Sequence, residues 1–191
     1  MDNEKLLDHE KAERILREGW QLFEQKGYRG VSIDELCARC NLTKPTLYYY
    51  FHDKENLFVQ VLQYKLKGFH AVIEQPGNIS ERLQRIAASI LDSFQTEYNA
   101  LLRDREHIKD EANLQRIREA FHKELFGPLN RLMLSGMKED ILARDNPEFL
   151  ALIFMGITNN FIGRRAEFDL DNAALATKLV EYFLKGAGKI E

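Results

Sequence analysis

The chain has 191 residues, 45% of them hydrophobic and 30% charged, enough for a real core and too apolar for a disordered chain. A net charge of −3 gives no general attraction for nucleic acid, and two cysteines do not build the disulfide framework of a small secreted domain. The N-terminal stretch MDNEKLLDHEKAERIL is dense in charge and lacks the apolar run of a signal peptide. The longest uncharged stretch, residues 149–163, is interrupted by Thr158, Asn159 and Asn160. It falls short of the about 20 apolar residues that span a bilayer. The expectation is a cytoplasmic protein with no membrane partner.

No sustained apolar–polar alternation and no Asn-Gly or Asp-Gly turn marks a strand, whereas a helical period recurs almost throughout. Ile15, Leu16, Gly19, Leu22 and Phe23 form the stripe of a first helix, which Gly27 ends as a C-terminal cap. Ser32-Ile33-Asp34-Glu35 has the form of a capping box and opens a short second helix running to about Cys40. Asn41 takes the turn in the left-handed conformation that Asn tolerates. Thr43 caps a third short helix, with Pro45 in its first turn, where a missing N–H costs little.

Asp53 caps a fourth helix over about residues 53–74, with Leu57, Phe58, Val61, Leu62, Leu66 and Phe69 on one face. Ser80 caps the next, whose stripe is Leu83, Ile86, Ala87, Ile90, Leu91, Phe94 and Tyr98. Residues 103–111 are dense in charge and read as a solvated connection or a short surface helix. Ile117, Phe121, Leu125, Leu129, Leu132, Met133 and Gly136 continue the pattern, with a kink expected at Gly127-Pro128. Two helices remain, over about residues 147–165 and 171–185. The first is apolar nearly all round, as expected of a helix held between its own core and a second subunit.

Residues 10–51 therefore hold three helices, the last two short and joined by a tight turn, which is the layout of a helix-turn-helix. Leu36, Cys37 and Cys40 face inward on the second helix, and Leu47 and Phe51 anchor the third. Thr43, Lys44, Thr46, Tyr48, Tyr49 and Tyr50 are left for solvent or DNA. Successive side chains on a helix point about 100° apart, so three consecutive tyrosines cannot all be buried. Across residues 28–54, Arg29, Arg39, Lys44 and Lys54 stand against Asp34, Glu35 and Asp53, a balance of +1. The case for DNA rests on pattern, not on charge.

The segments Ile15-Leu16, Gly19, Leu22-Phe23 and Gly27-Tyr28, then Val31-Ser32-Ile33-Asp34-Glu35-Leu36-Cys37, carry a family resemblance. So do Asn41-Leu42-Thr43-Lys44-Pro45-Thr46-Leu47-Tyr48-Tyr49-Tyr50-Phe51 and Asp53-Lys54-Glu55-Asn56-Leu57. In order, spacing and side-chain type they resemble the tetracycline-repressor-like (TetR) regulators, over about residues 12–62. The resemblance implies that Ser32 and the start of the second helix touch a phosphate. It implies that Lys44, Thr46, Tyr49 and Tyr50 face the major groove or its walls, with Thr43 also among the DNA-binding residues. Tyr48 would grip the backbone, and Lys54 would pair with a further phosphate. Two departures stand out: Asn41 where the family often has Gly, and Pro45 where a small residue is usual. The proline removes a backbone N–H that could have met a phosphate.

The same resemblance implies an all-α fold of about nine helices. It comprises a helix-turn-helix domain over residues 1–54 and a helical regulatory and dimerisation domain over 55–191, joined by the fourth helix. Its implied partners are double-stranded operator DNA, a second copy of the chain and a small hydrophobic or amphipathic effector, without a cofactor. Phe94, Tyr98, His107, Phe121, His122, Phe126, Phe154 and Asn159 are the candidate lining of an effector pocket. Phe149, Phe161 and Arg164 are further candidates, although aromatic stripes at helical spacing more often form core. A two-fold interface would bury Leu152, Ile153, Gly156, Ile157, Phe161, Leu175, Leu179, Tyr182 and Phe183. The function implied is a repressor released from a near-palindromic operator by its effector. A DNA-bound scaffold, or an activator without such release, is the alternative.

Cys37-Ala38-Arg39-Cys40 has the spacing of a redox switch or half a metal site. No second Cys or His pair supplies further ligands, so both sulfurs read as buried filling. An enzyme would need chemistry that this chain does not spell: it has no glycine-rich phosphate loop, no HExxH and no Ser-His-acid order with its flanking motif. A helical lipid carrier would need a cavity but not the tyrosines. Trp20 is assigned no function.

Overall fold

The computed structural model describes residues 2–94 and 104–187, and these are all-helical. In chain order the helices are α1 (Asp2–Gly30), α2 (Ile33–Cys40), α3 (Lys44–Phe51), α4 (Lys54–Ile73), α5 (Ile79–Ser93), α6 (Glu111–Phe121), α7 (Gly127–Lys138), α8 (Pro147–Asn160) and α9 (Asn172–Ala187). Among the described residues no helix is long and apolar enough to cross a membrane. The chain divides into two compact units, Met1–Lys65 with Ala100–Glu119, and Leu66–Asn99 with Ala120–Glu191.

In the first unit α1 packs on α2 and α2 on α3. Ile15, Leu22, Phe23, Leu36, Leu47, Phe51, Leu57 and Phe58 form the buried interior. Gly19 gives α1 its close approach to α4, since a Cβ there would stand 3.0 Å from Val61 Cγ2. Gly27 has φ 68° and ψ 171°, the positive φ expected of a cap, yet a further turn follows and α1 runs to Gly30. Ser32 caps α2 by accepting from Glu35 N at 3.1 Å. The carboxylate of Glu35 bonds Lys26, not the Ser32 backbone, so the serine half of the expected box forms and the Glu35 carboxylate goes elsewhere. Asn41 closes α2 in the left-handed region at φ 51°, ψ 53°, as expected.

In the second unit α5 supplies the inner stripe Leu83, Ile86, Ala87, Ile90 and Leu91, against which α7, α8 and α9 pack. Its cap is Asn78 and not Ser80: Asn78 Oδ1 accepts from Glu81 N at 2.9 Å, and Glu81 Oε2 accepts from Asn78 N at 3.1 Å. A reciprocal box satisfies two orphan N–H groups where a serine cap would satisfy one, which moves the start upstream. Near Gly127-Pro128 the deviation takes the form of a π-turn over His122–Phe126, in which Gly127 N–H reaches His122 O. Pro128 has no N–H to donate and its ring excludes the carbonyl one turn back, so the ladder widens just before it. Helix α8 stops at Asn160, short of the expected end, and Gly163 at φ 74° carries the chain away.

Candidate nucleic-acid interface

Helix α3 has two faces of opposite character. Thr43 caps it, its Oγ1 accepting from Thr46 N at 3.4 Å and lying 2.9 Å from Thr46 Oγ1. Leu47 and Phe51 point inward and are buried. One residue further round, Tyr48 is 40% and Tyr49 74% exposed. Tyr50 is half-buried, its ring edge-on to Tyr49 with centroids 5.3 Å apart. The helix ends at His52, where φ turns to 62°, and Asp53 then caps α4 through Asn56 N at 2.7 Å. Local capping thus sets the length of α3, and the two buried side chains set which face is left outside.

The polar residues around α3 are partly engaged within the chain. Ser32 Oγ is spent as an acceptor on Glu35 N, which leaves its own hydrogen to donate to a phosphate. Lys44 Nζ lies 2.9 Å from Asp34 Oδ1, and that hydrogen bond pushes the ammonium above the ordinary lysine range. Lys44 and Asp34 are both exposed, so the pair is open to exchange with another anion. Arg39 Nη1 lies 3.8 Å from Glu18 Oε2. Cys37 and Cys40 are free and buried, and burial pushes both thiols up, away from the reactive thiolate form. Among the described residues no group of His, Cys, Asp or Glu is arranged to hold a metal ion.

Lys54 is the lysine that the resemblance pairs with a further phosphate. It is half-buried, its Nζ 4.7 Å over the ring of Tyr28. Burial pulls its ammonium below the ordinary range, and the Asp104 carboxylate pulls the other way. The charged segment expected to be a solvated connection or a short surface helix forms a helical turn at Arg105–His107 and is anchored here. Asp104 Oδ2 accepts from Tyr28 N at 2.7 Å. Glu55 accepts from Lys109 N at 3.2 Å, Asp110 N at 3.0 Å and Asn113 Nδ2 at 3.1 Å. A pocket of about 540 Å³ opens among Tyr28, Lys54, Glu55, Lys109 and Asn113. Gly27-Tyr28 and Glu55 lie in segments that carried the resemblance, but nothing local joined them to Asp104 or Lys109.

The remaining candidates scatter. Phe94 is buried and stacks on Phe69 at 6.0 Å, and Phe154 meets Phe183 edge-on at 5.4 Å. Phe121, Phe126 and Asn159 are half-buried, the Asn159 Oδ1 without a hydrogen bond, while His122 and Phe149 are exposed. His107 belongs to the first unit, stacked near Tyr28 at 6.4 Å, whereas those residues belong to the second. Tyr98 lies outside the described residues.

Of the residues expected at a subunit interface, Leu152, Ile153, Gly156 and Tyr182 are exposed, and Ile157 and Phe161 are half-buried. Leu175, Leu179 and Phe183 are instead buried in the chain's own core. Helix α9 packs against α5 and α8, with Phe183 edge-on to Phe154 of α8, and burial within the chain keeps these side chains from a partner.

Comparison with known proteins agrees with this geometry. The family model described as bacterial regulatory proteins, tetR family, matches residues 15–61. The HTH-type transcriptional regulator YuxN of Bacillus subtilis is 38% identical over 55 residues, 29% of this chain and 19% of that protein. The HTH-type transcriptional repressor NemR of Escherichia coli is 27% identical over 95 residues, 47% of this chain and 48% of NemR. The chain thus spans about half or less of the length of these relatives, which are regulators and not enzymes. A putative TetR-family transcriptional regulator from Vibrio parahaemolyticus superposes with a TM-score of 0.70 at 22% identity, covering 94% of this chain and all of that one. The likeness in structure establishes the fold.

Proposed function

We propose that the chain, whose residues 15–61 match the model of the tetR family of bacterial regulatory proteins, is a DNA-binding transcriptional repressor that works as a homodimer. The observation that carries the reading is α3: a capped helix with Leu47 and Phe51 inside and Tyr48 and Tyr49 standing in solvent beside Lys44. Tyrosine hydroxyls serve both base edges and phosphates, and helix starts and lysines favour phosphate. Ser32, Thr43, Lys44, Thr46, Tyr48, Tyr49, Tyr50 and Lys54 are the proposed contacts.

A single α3 reads too few base pairs for a specific site, so two copies are needed. Leu152, Ile153 and Gly156 on α8, with Tyr182 on α9, form the proposed interface. Two-fold symmetry then sets the recognition helices about 34–36 Å apart, or a multiple of it, on a near-palindromic operator. A small hydrophobic or amphipathic effector held among the second unit's helices would act through α4, which starts at Lys54 in one unit and ends at Ile73 in the other. Changing the spacing of the recognition helices would weaken operator binding, a coupling of about 1–3 kcal/mol.

Fluorescence anisotropy with a duplex selected from a random pool tests the DNA half. Tyr49→Ala should weaken binding by about tenfold while the dimer persists. Unchanged affinity refutes the role of that ring.

A further inference from the structure

Among the described residues, Lys54 is a proposed phosphate contact whose surroundings include a carboxylate from the middle of the chain. The break at Gly27 frees Tyr28 N–H from the helix ladder, and Asp104 Oδ2 accepts it at 2.7 Å. Gly27 makes room for that carboxylate, since a Cβ there would stand 3.2 Å from Asp104 Oδ2. Tyr28 is held in turn by Phe58, edge-on at 5.2 Å, and the Lys54 ammonium stands 4.7 Å from its ring centroid. The segment following Asp104 is pinned by Glu55 through the backbone N–H groups of Lys109 and Asp110. Asp104 is therefore not a loose surface charge: its bond to Tyr28 N holds it on the same residue whose ring carries the Lys54 ammonium, where its charge favours that ammonium.

We propose that Asp104 is a built-in competitor of the DNA backbone for Lys54. In the free protein the ammonium rests on the Tyr28 ring, in the field of the Asp104 carboxylate bound to the Tyr28 backbone. On DNA a phosphate takes it over, so that binding exchanges one anion for another. The contact at Lys54 is then weaker than that of a lysine with no anion of its own, and the segment around Asp104 sets operator affinity without touching DNA. This inference rests on the DNA-binding reading above.

Asp104→Asn separates the charge from the anchor, because the amide oxygen can still accept from Tyr28 N. With a duplex selected by the wild-type protein, the variant should bind about threefold to tenfold more tightly. Its plot of log affinity against log salt should steepen by up to about one unit, because binding no longer releases a carboxylate that takes up a cation from solution. In a Lys54→Ala background the same substitution should change nothing. A gain of equal size in that background would show a long-range charge effect and overturn the proposal, as would no gain with Lys54 present.

Competitive acetylation of the free protein, read by mass spectrometry, probes the link without DNA. Asp104→Asn should raise the reactivity of Lys54 relative to the other lysines, because the carboxylate that favours the charged amine is gone. Unchanged reactivity overturns the proposal. Should the wild-type protein select no duplex, the DNA reading falls and the competition with it, while a shift in acetylation would still mark Asp104 as the partner of Lys54.

Discussion

Helices α3 and α8 both push large side chains into solvent, but with different chemistry. α3 is short, capped by Thr43, and turns Leu47 and Phe51 inward and Tyr48 and Tyr49 outward. α8 is longer, capped by Asn146, and turns Leu150, Ala151, Phe154, Met155 and Thr158 inward. Outward it shows Phe149, 54% exposed, and Leu152, 52% exposed, with Ile153 and Gly156 beside them. The α3 rings carry hydroxyls that can replace the water stripped from a polar groove, whereas the α8 residues can only exclude it. A contiguous aliphatic face suits another protein surface, and a phenol-bearing face suits a polyanion with hydrogen-bonding edges. Exposure says that a face awaits cover, and side-chain chemistry says of which kind.

The sharpest way to break this contrast is to place a charge on α8. Leu152→Glu should raise the dimer dissociation constant by about a hundredfold or more, because a buried unpaired carboxylate is costly. Sedimentation equilibrium reads this directly, and an unaltered dimer would remove α8 from the interface. Next comes Tyr49→Ala, whose loss of DNA affinity should leave the melting temperature where it was. A fall in that temperature would mean that the ring belongs to packing rather than to a groove.

The two caps allow a matched test. Thr43→Ala and Asn146→Ala should each destabilise by about 1 kcal/mol in chemical denaturation. The first should also weaken DNA binding and the second self-association, and a crossed pattern would undo the division of labour. The smallest effect is expected from Asp34→Asn, which frees Lys44. DNA affinity should rise by about twofold with a steeper salt dependence and no change in melting. A loss of affinity would instead make Asp34 a residue that aims Lys44.

The period of the helices, the caps at Thr43 and Asp53, the left-handed Asn41 and the outward tyrosines were all legible in the chain, because each depends on residues within a turn or two. Where two local devices competed, the local reading slipped. Asn78 outbids Ser80 as a cap because Glu81 can close its box, and Glu35 leaves Ser32 because Lys26 is near. On α9 the apolar stripe was visible, but its owner was not. Leu175, Leu179 and Phe183 suit a partner subunit as well as they suit the chain's own core, and packing gave them to the core.

The contacts around Lys54 lay furthest from view. Tyr28 and Asp104 stand 76 residues apart and Glu55 and Lys109 stand 54 apart, with no shared period to join them. Helical hydrogen bonds and caps are written over three or four positions, so the sequence alone declared the elements and the outward face of α3. Which carboxylate meets which backbone N–H is settled only when distant segments fold together, and that brought Asp104 to Tyr28, on whose ring Lys54 rests.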